Sequence, residues 1–166
     1  YPSHTTLVTG VPPAVHGIVA NTLFDPGISS AQWHIDASEI HAPTLWDKVR
    51  AAGLRSAAVS WPLTRNAPID YNLPEVWFDE LPRDRRSAIR KYANPPGLFD
   101  EIERNATGVL RAVDIDYKHL AMDANNSRAL SYLIRTYRPH LAAIHLVSTD
   151  TAQHAEGREG EGVRVA

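Results

Sequence analysis

Apolar positions recur at helical spacing in two parts of the chain, and each helical stretch is followed by a short apolar run. Leu45, Val49 and Ala52 share one face of a helical segment, and the residues RSAAVSW that follow have the composition of a buried strand. A longer helical stretch covers about 116–138, and HLAAIHLV (140–147) follows as an apolar strand. Because helix-then-strand occurs twice with short links, the pattern predicts an α/β domain with a largely parallel sheet flanked by helices.

Shorter patterns predict further elements. Residues of helical type run over Pro2–Thr9, with proline in the first turn and Gly10 at a position that suits a helix C-terminus. Two more helical stretches lie near 83–93 and 96–105, and the segment 17–27 begins as a strand-like apolar piece. The order of these elements is consistent with one α/β domain in which helices pack against a sheet.

Two predictions concern the middle of the chain. The proline-rich segment 64–84 is predicted to be irregular, and a segment of that length in a compact domain is typical of a functional or covering loop. The long helix at about 116–138 is predicted to bury an apolar stripe formed by Leu120, Ala124, Leu130, Leu133 and Ile134.

Composition narrows the function classes. The chain has 166 residues, 43% of them apolar and 22% charged, which is typical of a globular domain. A net charge of -2 gives no general attraction to nucleic acid or anionic membranes, and the lack of cysteine excludes disulfides and thiolate metal sites. No apolar run approaches the roughly 20 residues of a membrane span. We expect residues 1–157 to be part of a larger domain, and 158–166 to be a Gly- and charge-rich truncated tail.

A carboxylate and an imidazole follow the last strand. Asp150 lies where the strand is predicted to end, and His154 comes four residues later, which places both on one face of a helical turn. Zinc takes both ligand types but needs three or four in total, so the pair fits either half of a metal site or a surface ion pair. His145, inside the strand, is better interpreted from the residues alone as a core histidine with one hydrogen bond.

Four separated motifs occur in a specific order. They are YPSHTTLVTGVPPAVHGIVAN at the start, PTLWDKVRAAGLRSAAVSWP, IDYNLPE and LVSTDTAQHAEG. Together they resemble the type I phosphodiesterase / nucleotide pyrophosphatase family within the alkaline phosphatase superfamily. The resemblance extends to Gly157 and implies an alkaline-phosphatase-like α/β fold.

The resemblance also implies a hydrolase with two divalent metal ions, usually zinc. Asp150 and His154 fall on two ligands of one metal, and Asn21 falls on the residue whose amide donates to a phosphoryl oxygen. An amide is a neutral donor that can meet developing negative charge, although Asn21 also suits a turn. Tyr1 and His145 fall on substrate-facing positions. The family nucleophile, a Thr or Ser that forms a covalent phospho-enzyme, falls directly before Tyr1.

These implications define the expected function. The whole protein is expected to hydrolyse phosphodiester or pyrophosphate bonds in a small substrate or nucleotide, not in a nucleic-acid polymer. Family members are often exported, which implies a periplasmic or secreted location. The nucleophile and the later metal ligands fall outside the 166 residues, so we expect this chain alone to be inactive.

Two departures from the family pattern keep alternatives open. His145 stands where nucleotide-cleaving members often have Tyr, which argues against a strict nucleotide preference, and Arg158 follows Gly157 where the family usually has Pro. The alternatives are another superfamily hydrolase, such as a phosphonoacetate hydrolase or a phosphomonoesterase, and an inactive truncated module that only folds or binds a partner.

Overall fold

The computed structural model describes residues 1–27, 32–76, 85–116 and 120–166. Three parallel strands form one sheet in the order β2-β1-β3, with β1 Ser56–Val59, β2 Tyr71–Leu73 and β3 Leu141–Ile144. The α-helices are α1 Pro2–Thr9, α2 Pro13–His16, α3 Leu45–Ala51, α4 Arg85–Tyr92, α5 Leu98–Ile102, α6 Ala121–Tyr137, α7 Ser148–Glu156 and α8 Glu161–Val165. Short 3₁₀ turns occupy Ala37–Glu39 and Ala112–Ile115, and a π turn occupies Glu103–Thr107.

The central strand β1 is made of small residues that are buried on both faces. Ala57 pairs with Tyr71 of β2 on one side and with Ala142 of β3 on the other, and both pairings are parallel. All four residues of β1 are buried, as expected for a parallel strand covered by helices on both sides. The predicted strands at 55–61 and 140–147 are thus confirmed, with observed cores of four residues each.

Two apolar clusters cover opposite faces of the sheet. Ala57 and Val59 point into a cluster built mainly from α5 and α6, with Phe99 and Leu133 almost fully buried. Ala58 points the other way, into a smaller cluster that contains Trp46 of α3. Fully burying a side chain such as Phe99 contributes about 1.5–3 kcal/mol to folding. The sheet therefore has a helix layer on each face, and its carboxyl edge remains available for a site.

The predicted stripe on α6 is largely wrong. The buried residues are Met122, Asn125, Ala129 and Leu133, whereas Leu120, Ala124 and Ile134 are exposed and Leu130 is partly packed. The buried face of the helix also carries a polar contact. The amide of Asn125 donates to the backbone oxygen of Asp114 at 3.2 Å.

Other segments differ from their predictions in smaller ways. The proline-rich segment 64–84, predicted as irregular, contains β2, and 158–166, where no element was predicted, forms α8. The strand-like piece at 17–27 forms only an isolated bridge to Trp33. Residues 77–84 and 117–119, which carry the rest of the irregular loop and the starts of two predicted helices, lie outside the described residues. No described helix has the length and hydropathy of a bilayer-crossing segment.

Candidate active site

The N-terminus of α1 and the side chain of Asn21 meet at one point. The nitrogen of Tyr1 donates a hydrogen bond of 2.7 Å to Asn21 Oδ1. Tyr1 stands at the N-cap position of α1, and its side chain makes no capping hydrogen bond to the first N–H groups of the helix. Asn21 thus lies beside a helix end that favours negative charge.

A buried histidine fixes the turn that leads to Asn21. His16 is fully buried, its Nδ1 accepts from the backbone N–H of Ile18 at 3.1 Å, and its Nε2 is 3.1 Å from Thr6 Oγ1 on α1. Burial lowers the pKa of His16, which favours the neutral ring that these two bonds require. Gly17 has a φ of 85°, and a Cβ there would lie 2.8 Å from His41 Nδ1. The His-Gly-Ile motif is therefore a fixed turn that holds the Asn21 segment against α1.

The predicted metal pair lies on the first two turns of α7. His154 Nε2 is 3.7 Å from Asp150 Oδ1, and the two side chains are 81% and 67% exposed. Asp150 also lies close to the start of α1. The carboxylates of Glu75 and Asp150 both interact electrostatically with the nitrogen of Tyr1. Tyr1, Asn21 and Asp150 therefore share one edge of the sheet.

The geometry of this pair fits two ligands of one zinc ion. Ligands at about 2.0–2.2 Å from a tetrahedral zinc have donor atoms roughly 3.3 Å apart, and the observed 3.7 Å is close to that value. Both side chains are exposed, so further ligands can approach them. Within the described ranges, no group of three or more His, Asp or Glu side chains is arranged to hold a metal. Among the described residues, the pair thus offers two donor atoms and no third.

A cluster of three titratable side chains lies next to this edge. His145 Nδ1 is 3.9 Å from Glu75 Oε1, and the His145 ring packs edge-on against His4 at 4.4 Å between centroids. His145 is only 18% exposed, as a core histidine would be, but among the described residues its Nδ1 has no hydrogen-bond partner. Burial, helped by the neighbouring His145 and the Tyr1 amino group, lowers the pKa of His4 to about 4. His4 is therefore neutral at physiological pH.

The sequence model of the type I phosphodiesterase / nucleotide pyrophosphatase family matches residues 1–166. The chain belongs to this family. Human ectonucleotide pyrophosphatase/phosphodiesterase family member 5 is 39% identical over 71 residues, which are 39% of this chain and 15% of the human protein. The family membership predicted from the four motifs is thus confirmed.

Solved structures related to this family share the fold. Phosphonoacetate hydrolase from Sinorhizobium meliloti, in complex with phosphonoformate, aligns with a TM-score of 0.56 at 24% identity, over 92% of this chain and 35% of that one. Murine ectonucleotide pyrophosphatase / phosphodiesterase 5, an inactive variant in complex with AMP, aligns with a TM-score of 0.51 at 20% identity, over 99% and 36%. These likenesses confirm the alkaline-phosphatase-like α/β fold. This chain spans about a third of the length of each solved structure. Its match to the human relative covers a smaller share, 15% of that protein.

Sequence reasoning did not single out two titratable side chains that contact His145 near this edge of the sheet. Glu75 follows β2 by two residues, so it lies at the carboxyl edge of the sheet, where ligand sites form in parallel sheets. It was overlooked because its segment was predicted to be irregular. His4 belongs to the first family motif, but only the fold shows that its ring contacts both His145 and Trp61.

Proposed function

We propose that the protein containing this chain is a metal-dependent hydrolase of phosphodiester or phosphoanhydride bonds in a small substrate such as a nucleotide. The observation that carries the proposal is the meeting of Asn21 with the N-terminus of α1 at the edge where Asp150 lies. Membership of the family supports the reaction class. The identity of the metal, the covalent step and the substrate are inferences built on that class.

The chain's own residues supply an anion site. The first N–H groups of α1 and the positive end of its dipole suit a phosphoryl group, which carries negative charge. The amide nitrogen of Asn21 can donate to a phosphoryl oxygen, while its oxygen accepts from the nitrogen of Tyr1. A donor held in place before the reaction stabilises the charge that develops at phosphorus without any reorganisation cost.

Asp150 and His154 would hold one of two divalent ions, with zinc the best match to their donor atoms. When bound, zinc polarises phosphoryl oxygens and lowers the pKa of a hydroxyl. The remaining ligands would come from other parts of the protein, since this chain spans 36% of the murine relative. Exposure of both side chains on α7 leaves them accessible to such partners.

The nucleophile would be a Thr or Ser directly before Tyr1 in the intact protein. At that position its hydroxyl lies at the start of α1, beside Asn21. The hydroxyl oxygen would bond to phosphorus as the bond to the leaving-group oxygen breaks, and the hydroxyl proton would pass to solvent while the leaving group departs as an oxyanion or takes up a proton from solvent. Water would then cleave the phospho-enzyme and restore the hydroxyl.

A second candidate is hydrolysis of a phosphonate or a phosphomonoester. The environment of His145 favours it, because the ring is largely buried against His4 and is poorly placed to stack on a nucleotide base. A substrate panel on the full-length protein separates the candidates. The panel holds bis-(p-nitrophenyl) phosphate, a nucleotide, p-nitrophenyl phosphate and phosphonoacetate.

The same panel tests the proposal itself. Activity on the phosphodiester or the nucleotide that is lost with a chelator and restored by zinc is the expected result. Activity that persists after complete metal removal would rule out the proposed function. Preference for phosphonoacetate or the monoester would select the second candidate.

A further inference from the structure

The helix that carries the metal pair is capped by a residue from another helix. Asp123, in the first turn of α6, accepts from the backbone N–H of Val147 through Oδ1 at 2.9 Å and from that of Ser148 through Oδ2 at 2.8 Å. Helix α7 begins at Ser148, and its own N-cap residue, Val147, makes no side-chain capping bond. Each oxygen of one carboxylate therefore satisfies one N–H at the start of α7.

The two hydrogen bonds that Asp123 accepts are stronger than hydrogen bonds between neutral groups. A carboxylate that accepts from backbone N–H groups at a helix start forms charge-assisted bonds and also interacts favourably with the helix dipole. Val147 and Ser148 are both buried, so leaving their N–H groups without an acceptor would carry a desolvation cost of about 1–3 kcal/mol each. Asp123 thus fixes where α7 starts and how it is rotated relative to α6.

Asp150 lies in the first turn of α7, two residues after the capped Ser148, and His154 lies one turn further on. A change in the start or rotation of the helix moves both donor atoms relative to the sheet edge and to Asn21. Because zinc affinity depends on ligand geometry, residues that orient the ligands influence affinity without touching the metal.

We propose that Asp123 is a positioning residue that holds Asp150 and His154 in metal-binding geometry. This inference rests on the proposed metal site. The same contact closes the N-terminus of α7 to an anionic substrate, whereas the N-terminus of α1 has no side-chain cap from Tyr1.

The test is a cobalt(II) titration of the metal-stripped full-length protein, followed by the visible absorption of the bound ion. Asp123→Asn keeps the shape but loses one acceptor oxygen, and Asp123→Glu keeps both. Glu101→Gln is the matched control, since Glu101 also accepts two hydrogen bonds, from the hydroxyls of Tyr132 and Tyr137 on the same α6. The thermal melting temperature of every variant is measured alongside.

Asp123→Asn is expected to weaken cobalt(II) binding about 10–100-fold and to change the absorption spectrum, as is typical when a group that orients a ligand is lost. Asp123→Glu should recover part of the affinity, and Glu101→Gln should bind like the wild type even if it melts earlier. Wild-type affinity in Asp123→Asn, or an equal loss in Glu101→Gln, would overturn the inference. If the wild type binds no cobalt(II), the proposed metal site itself fails, and this inference fails with it.

Discussion

The nitrogen of Tyr1 and the side-chain oxygen of Asn21 are 2.7 Å apart, although 20 residues separate them along the chain. The contact brings an amide donor to the start of α1. It depends on the turn at His16 and Gly17, which returns the chain to the helix it has just left. The proposed anion site is therefore formed by one short stretch of sequence that folds back on itself.

Replacement of His16 by Ala is expected to destabilise the protein by about 2–4 kcal/mol, because a fully buried ring and two hydrogen bonds are lost. Activity should fall as well, since the Asn21 segment loses its anchor on Thr6. Urea denaturation of the full-length protein measures the first effect. His154→Ala is the control, because that side chain is exposed and its loss in the metal-free protein should cost less than about 0.5 kcal/mol.

The stability of the chain should rise with pH between about 4 and 6.5 because of His4. Burial and the nearby His145 lower its pKa to about 4 in the folded state, so the unfolded state binds more protons in this window. The contribution of His4 to stability is fully present above its pKa in the unfolded state and is lost as the pH falls from there to about 4. A full shift of this size corresponds to roughly 3 kcal/mol, and we expect about 1–2 kcal/mol because the ring is only half-buried.

Denaturation at several pH values checks this expectation. In a His4→Gln variant the rise should shrink, because the side chain no longer titrates. An unchanged pH profile in that variant would assign the effect to another group. His140→Gln serves as the comparison, since His140 is exposed and lies at the opposite end of β3.

Removal of either member of the metal pair should lower the zinc content of the full-length protein. Asp150→Asn and His154→Ala each remove one donor, so each should lose about one zinc ion per chain and at least about 100-fold in activity. Metal analysis after dialysis measures the first quantity. Full zinc content in both variants would show that the 3.7 Å pair is an ordinary surface contact.

The 166-residue chain by itself should show no turnover and only weak zinc binding. Two protein ligands are too few for a stable zinc site, which needs three or four. Calorimetric titration with zinc and an assay with a nitrophenyl phosphodiester test both expectations. Zinc-dependent turnover by this chain would contradict them.

Much of the fold could be predicted because local patterns and tertiary structure agree. β1 and β3 are continuous apolar runs that follow helices, and α1 begins at a proline and ends at Gly10, whose φ is 70°. β2 could not be predicted in the same way. Its three residues lie among prolines, and their strand conformation depends on pairing with β1.

In the candidate site, too, some residues could be predicted from the sequence and others could not. Asp150, His154 and Asn21 were predicted as site residues because they belong to sequence motifs, and the fold places Asn21 and Asp150 near the start of α1. Asp123 was not found, because its role depends on contacts with residues 24 and 25 positions away. Such contacts leave no periodic signal in the sequence.

The most direct test of the proposed function is the activity of Asn21→Ala in the full-length protein, with its zinc content measured in the same sample. We predict that kcat/KM for a phosphodiester falls about 100–1000-fold, the usual effect of removing one donor to a developing oxyanion, with zinc content unchanged. Asn66→Ala is the control, because Asn66 is an exposed amide that bonds to Asp36. Wild-type kcat/KM in Asn21→Ala would contradict the placement of the phosphoryl group beside Asn21 at the start of α1.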